Sequence, residues 1–156
     1  MEESAMKNKQ FISLALAFCL IFALCVPASA SLNVPNSTFS SNYFSSYGVI
    51  LSDAGSHQLC ITFSTDGIGI CDELGVATFS VQKKMIAGDG STYWADVGTF
   101  SGQTGHNVSS YTYSVNFQGV GGETYRVRAT FMCTKTINGV VGTEHKTTTT
   151  GGKKIN

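Results

Sequence analysis

The residues that could do chemistry in this 156-residue chain are few and scattered. Ten basic side chains balance ten acidic ones, and the chain contains five cysteines and three histidines. A chain without net charge offers no general electrostatic attraction to a nucleic acid or to an anionic membrane surface. The composition therefore favours neither class of partner, and candidate sites have to be sought residue by residue.

A metal site would have to draw on the histidines and on several carboxylates. The histidines lie far apart in the sequence, and no two of them have the spacing of zinc ligands. No loop carries acidic residues at alternate positions, as calcium loops do, although Asp/Gly turns leave calcium open as an alternative. We therefore predict no cofactor. The side chains considered are His57, His106, His145, Asp72, Glu73, Asp89 and Asp96.

Catalysis by a nucleophile has no signature in the sequence. The Gly-x-Ser-x-Gly turn is absent, and Ser64, Ser101 and Ser114 are explained as outward strand or turn residues. A catalytic thiol needs a nearby histidine and a lowered pKa, and no cysteine has such neighbours in the sequence. A carboxylate pair for glycoside cleavage is recognised only from geometry. The sequence thus predicts that the protein is not an enzyme.

Three cysteines, Cys60, Cys71 and Cys133, follow the N-terminal apolar segment. Strand alternation places Cys133 on an inward face and Cys60 on an outward face, so a bridge between them is not expected. A two-residue loop at Asp66-Gly67 would place Thr62 rather than Cys60 opposite Cys71, which disfavours a bridge there as well. We expect no disulfide, and Cys60–Cys71 stays open as the alternative.

The residues best suited to binding are aromatic and basic. Tyr93 and Trp94 could stack on a sugar ring or grip a peptide if they lie on an exposed face. The interpretation that we favour for Trp94, the lone tryptophan, is that it fills the core. Arg126 and Arg128 share the outward face of one strand and could bind carboxylates, although the interpretation that we favour for them is a solvated sheet face. These four residues are the candidate binding positions.

The first thirty residues have the pattern of a secretory signal peptide. Two lysines precede an apolar run at 11–26, and an Ala-x-Ala motif that ends at Ala30 follows this run. The run is shorter than the roughly 20 residues of a spanning helix. We predict a signal-peptide helix, cleavage between Ala30 and Ser31, and a secreted product without a stable membrane anchor. An uncleaved anchor is the alternative, and translation could begin at the second methionine, Met6.

The rest of the chain shows the alternation of apolar and polar residues that is typical of half-buried strands. Asn138-Gly139 marks a tight hairpin, and further glycine turns separate the other runs. The pattern predicts an all-β fold: an antiparallel two-sheet sandwich of immunoglobulin or fibronectin III type with about seven strands. The candidate strands are 47–51, 57–65, 74–84, 92–100, 110–117, 124–135 and 140–150. The predicted organisation is signal peptide 1–30, flexible leader 31–46, sandwich domain 47–150 and polar tail 151–156.

Three segments, CDELGVATFSVQKK, TYWADVG and GGETYRVRATFMCTK, carry a resemblance to a known family. They resemble small exported proteins of Gram-positive bacteria such as clostridia, whose function is uncharacterised. The resemblance covers roughly residues 58–150 and rests on structural motifs. It implies a signal peptide and one sandwich domain, and it implies no catalytic residues.

The function predicted from these observations is that of a small secreted, non-catalytic binding or structural module. Its partner would be an extracellular protein or a glycan. The alternatives are a secreted hydrolase, or a toxin or peptidase inhibitor that engages its target through a strand edge or a loop.

Overall fold

Seven antiparallel β-strands make up the secondary structure of residues 41–156, the part of the chain that the computed structural model describes. Within this part no residue lies in a helix, so it contains no helix that could cross a membrane. The predicted all-β antiparallel class is thus confirmed. The predicted signal peptide and its cleavage site at Ala30–Ser31 lie outside the described residues. The strands are β1 Phe44–Gly55, β2 Gln58–Ile86, β3 Thr92–Ser101, β4 Thr104–Gln118, β5 Thr124–Ile137, β6 Val140–Thr149 and β7 Lys153–Lys154.

The 29-residue strand β2 organises the fold because it pairs with four other strands. Its first half lies between β1 and β4, so that Ile61 pairs with Leu51 on one side and Val115 on the other. Its second half lies between β3 and β5, where Val81 pairs with Val127 of β5. Strand β6 continues the sheet beyond β5.

The sequence predicted two separate strands, 57–65 and 74–84, where the structure has the single strand β2. The expected turn at Asp66-Gly67 is absent because Gly67 pairs with Phe44 of β1 instead of reversing the chain. The pairing of β2 with β4 shifts register between Asp66 and Cys71. The extra residues are thus absorbed as an irregularity within an extended strand, as β-bulges are.

Most of the core consists of side chains of β2 and β5, and Phe44 and Ile155 complete it. Phe131, which the sequence placed in the core, is fully buried, and its ring packs 5.3 Å from that of Tyr47. The ring of Phe63, in the first half of β2, lies 4.9 Å from that of Phe79 in the second half and 4.8 Å from that of Tyr113. The fully buried large side chains include Leu59, Ile61, Phe63, Leu74, Val76, Val81, Val127, Phe131 and Ile155.

Strands of the structure lie beyond both ends of the domain predicted at 47–150. Strand β1 begins at Phe44, inside the predicted leader, because this ring is buried and its backbone N–H donates to the Ser41 hydroxyl at 2.8 Å. The predicted polar tail includes β7, which pairs with β5. Ile155 anchors the tail: its side chain is fully buried, and its N–H donates to the carbonyl of Glu123 at 3.0 Å.

Candidate functional site

Trp94 lies on the outer face, by which we mean the face of β3, β2 and β5 opposite to the core side chains of Phe79 and Val81. A register shift between Val81 and Gln82 in the pairing of β2 with β3 determines this position. On the Phe79 side of this shift, Phe100 of β3 pairs with buried Phe79, and the centroids of the two stacked rings lie 5.1 Å apart. A one-residue shift exchanges the two faces of a strand. Trp94 is therefore half-buried outside the core, which corrects the core position favoured from the sequence.

The side chain of Arg126 covers the indole ring of Trp94. Its guanidinium carbon lies 4.4 Å from the ring centroid, within the range of a cation–π interaction. The Nε–H of Arg126 donates to Oε1 of Gln82 at 2.6 Å, and Nε2 of Gln82 donates to Oδ1 of Asp96 at 2.8 Å. We call these four residues the Arg126 network. Gln82, which is 8% exposed, connects β3 to β5 and has both ends of its amide paired.

This arrangement holds a guanidinium in place and leaves its terminal nitrogens without an acidic partner among residues 41–156. The contact with the Trp94 ring and the bond to Gln82 restrain the group at two points. No carboxylate among residues 41–156 lies within salt-bridge distance of Arg126 or Arg128. A planar guanidinium with free terminal N–H groups is suited to bidentate binding of a carboxylate or a phosphate.

Arg128 extends the same surface by two residues along β5. It pairs with Ser80 of β2 and Thr149 of β6, and its side chain is exposed. Side chains two residues apart on a strand lie on one face, about 6.5–7 Å apart. Lys84 pairs directly with Trp94 and adds a third cation to the outer face. This part of the surface therefore carries three basic side chains and one acidic side chain, that of Asp96.

The structure brings together three of the four binding residues chosen from the sequence. Trp94, Arg126 and Arg128 share the outer face, whereas Tyr93 pairs with Met85 and points to the opposite side, where it is 50% exposed. Of the other two members of the Arg126 network, the sequence interpretation considered Asp96 only as a possible metal ligand and did not single out Gln82. Their roles follow from the register of three strands, because Gln82 pairs with both Asp96 and Arg126.

The other polar candidates do not form a common site. The described chain, residues 41–156, holds no cluster of three metal-ligating side chains. Asp72 accepts a hydrogen bond from the hydroxyl of Thr136, and Glu73 accepts one from that of Thr104, each at 2.7 Å. These two carboxylates thus link neighbouring strands.

The cysteines divide into one that is partly exposed and two that lie in the core. Cys60 is half-buried, while Cys71 and Cys133 are fully buried, which agrees with the opposite faces expected for Cys60 and Cys133. The sulfur atoms of Cys71 and Cys133 lie 2.7 Å apart, a contact that the sequence interpretation did not foresee. The hairpin predicted at Asp66-Gly67 would have placed Cys71 opposite Thr62 instead.

Among known proteins, no family model, curated protein or solved structure matches this chain.

Proposed function

We propose that this protein is a small secreted, non-catalytic β-sandwich module that binds an anionic glycan outside the cell through the Arg126 network. One observation carries the proposal. Arg126 is stacked on Trp94 and hydrogen-bonded to Gln82, yet no carboxylate of the described chain pairs with it. An oriented cation without an internal partner binds an external anion at a low entropic cost, because the side chain is already ordered.

The surface next to the network favours an extended ligand with repeated acidic groups. Arg128 supplies a second cation, two residues further along β5. Beyond it the same face carries threonine hydroxyls, and those of Thr130 and Thr147 lie 3.0 Å apart. Hydroxyls of this kind can donate to and accept from sugar hydroxyls. A polysaccharide with a carboxylate on each sugar offers carboxylates to the two arginines and hydroxyls to the threonines along this face.

The immunoglobulin-like sandwich is part of the same proposal. The two halves of β2 have different partners, β1 and β4 for the first and β3 and β5 for the second. The 4.9 Å contact between the rings of Phe63 and Phe79 joins these halves through their buried faces. These pairings support two sheets that share one long strand and pack face to face.

Secretion rests on the N-terminal pattern of two lysines, an apolar run and an Ala-x-Ala motif. We expect the mature protein to begin at Ser31. N-terminal sequencing of protein recovered from the culture supernatant tests this expectation. Recovery of full-length protein in the membrane fraction alone would contradict it.

Calorimetric titration with a polyuronate tests the binding function. The probe is polygalacturonate, with neutral dextran as the uncharged comparison. We expect saturable binding of polygalacturonate that weakens as salt is added, because exposed charges are screened. Loss of a hydrogen bond to a charged group costs about 1.5–3 kcal/mol, so Arg126→Gln should weaken binding roughly 10- to 100-fold. Equal binding by the wild type and Arg126→Gln would contradict the proposal.

Two further variants separate orientation from charge. Gln82→Leu keeps every charge on the outer face but removes the group that fixes the guanidinium, and we expect a loss of roughly fivefold in affinity. Lys146→Gln is the matched control, because it removes one positive charge from β6 at a position paired with inward-facing Phe131. It should bind like the wild type. An equal loss for Lys146→Gln and Arg126→Gln would indicate attraction to charge in general.

A further inference from the structure

Cys71 and Cys133 form an isolated pair of thiols in the core. They lie 62 positions apart in the sequence, on β2 and β5, and their sulfur atoms are 2.7 Å apart. Non-bonded heavy atoms normally pack at about 3.5–4.0 Å. The two sulfur atoms are thus closer than ordinary packing places them, and both side chains are fully buried.

The backbone around Cys71 is shaped to make this contact. Cys71 follows an irregular stretch of β2, where the pairing with β4 shifts register, and its side chain is fully buried. A Cβ atom at Gly67 would overlap the sulfur of Cys71, so a glycine at this position leaves room for the thiol. On β5, Cys133 pairs with buried Leu74 and alternates with Phe131, which directs its side chain inward.

We propose that Cys71 and Cys133 are joined by a disulfide in the mature protein. The other polar contacts of the two thiols are long ones, 3.7 Å from Cys71 to the carbonyl of Gly69 and 3.9 Å from Cys133 to that of Tyr43. Two cysteines without further ligands do not make a zinc site, which takes four. Cys60 is excluded from the bond because it lies half-exposed on the other face of β2.

The bond forms by thiol–disulfide exchange with an external disulfide, either a small molecule such as oxidised glutathione or a protein oxidant. The thiolate of one cysteine attacks a sulfur of that disulfide and releases the first reduced thiol. The second cysteine then attacks the mixed disulfide and releases the other. The protein loses two hydrogen atoms, and the external disulfide is reduced to two thiols.

Burial determines when this exchange takes place. Removal from water, together with the hydrogen bond to Cys71, raises the pKa of Cys133 to about 12. The attacking species is the thiolate, which is scarce at neutral pH when the pKa is high. Exchange is therefore slow once the core has closed, and the disulfide forms while the chain is still folding.

Peptide mapping after refolding tests the bond without depending on export or on glycan binding. The full-length chain is reduced in denaturant, refolded in a mixture of reduced and oxidised glutathione, and alkylated in denaturant. Cleavage before aspartate and after lysine or arginine separates all three cysteines of the described chain. We expect peptide 66–71 linked to peptide 129–135, and Cys60 alkylated on peptide 53–65. Recovery of Cys71 and Cys133 as alkylated thiols, or of Cys60 within the bond, would overturn the proposal.

Two variants and one kinetic measurement complete the test. Cys60→Ser should retain the linked peptide in wild-type yield, whereas Cys71→Ser should leave Cys133 as a free thiol. Reduction by dithiothreitol should be at least tenfold slower in native buffer than in denaturant, because the bond is buried. Equal reduction rates in the two solvents would contradict a bond between the buried sulfur atoms. If Cys71→Ser does not fold, Cys60→Ser and the reduction rates still decide the question.

Discussion

The guanidinium of Arg126 lies 4.4 Å from the ring of Trp94, although the two residues are on strands that do not pair with each other. Strand β2 lies between β3 and β5 and joins them through Gln82, which pairs with residues on both. The contact therefore depends on the register of three strands at once. A one-residue slip of β3 would turn Trp94 to the other face and remove the platform on which Arg126 rests.

Phe131→Ala should destabilise the protein strongly, by about 3–5 kcal/mol, because it removes a fully buried ring. The matched control is Thr130→Ala on the same strand. Thr130 faces outward and its hydroxyl contacts that of Thr147, so this change should cost no more than about 1 kcal/mol. Urea denaturation of both variants measures the difference. Equal losses would show that β5 is not buried on one face.

The sequence predicted strand positions and burial well where apolar and polar residues alternate without interruption. On β5, for example, Val127, Ala129 and Phe131 are all fully buried, as expected. Prediction failed at positions where a bulge changes the register. The shift between Val81 and Gln82 placed Trp94 outside the core. Strand β2 continues through the expected turn at Asp66-Gly67 with an irregular register, and Cys71 contacts Cys133. No local sequence signal distinguishes such a shift from a turn, because it depends on the strands paired alongside.

Gly102→Ala should destabilise the fold through a direct clash. A Cβ atom at Gly102 would overlap the carbonyl oxygen of Val76, and the N–H of Gly102 donates to the carbonyl of Ala77 at 2.9 Å. Because the clash is with backbone, the β3–β4 turn would have to move away from β2, and we expect a loss of about 1–3 kcal/mol.

Gly88→Ala is the control for this prediction. A Cβ atom at Gly88 would meet open space, and its backbone is not in the left-handed region. We expect it to be neutral or to stabilise by about 0.4–1 kcal/mol, because alanine restricts the unfolded chain. Thermal unfolding of both variants provides the comparison, and a similar melting temperature for the two would contradict the close contact at Gly102.

Glu144 should contribute stability that depends on pH. Burial acts to raise the pKa of this carboxyl group, but hydrogen bonds from Lys146, the Ser41 hydroxyl and the N–H of Tyr43 outweigh it and lower the pKa below its usual 4.5. A carboxylate with a lowered folded-state pKa stabilises the protein above its unfolded pKa. That contribution is lost as the pH falls through the folded-state value.

The variant Glu144→Gln measures this contribution. At pH 7 it should be less stable than the wild type by less than about 1 kcal/mol, because solvent screens the pair with Lys146. The difference should shrink as the pH is lowered below 4.5. Urea denaturation at a series of pH values tests the expectation, and a difference that grows toward acidic pH would refute it.

The emission of Trp94 reports directly on binding at the Arg126 network, because Trp94 is the single tryptophan of the chain. Titration of the protein with polygalacturonate should change this emission with a saturable dependence on ligand concentration. Neutral dextran should leave it unchanged, and the response of Arg126→Gln should require roughly 10- to 100-fold more polygalacturonate. A saturable response in the wild type that is strongly weakened in Arg126→Gln is the result we expect. An emission spectrum that does not respond to polygalacturonate, or that responds identically in the two proteins, would contradict a binding site at Arg126.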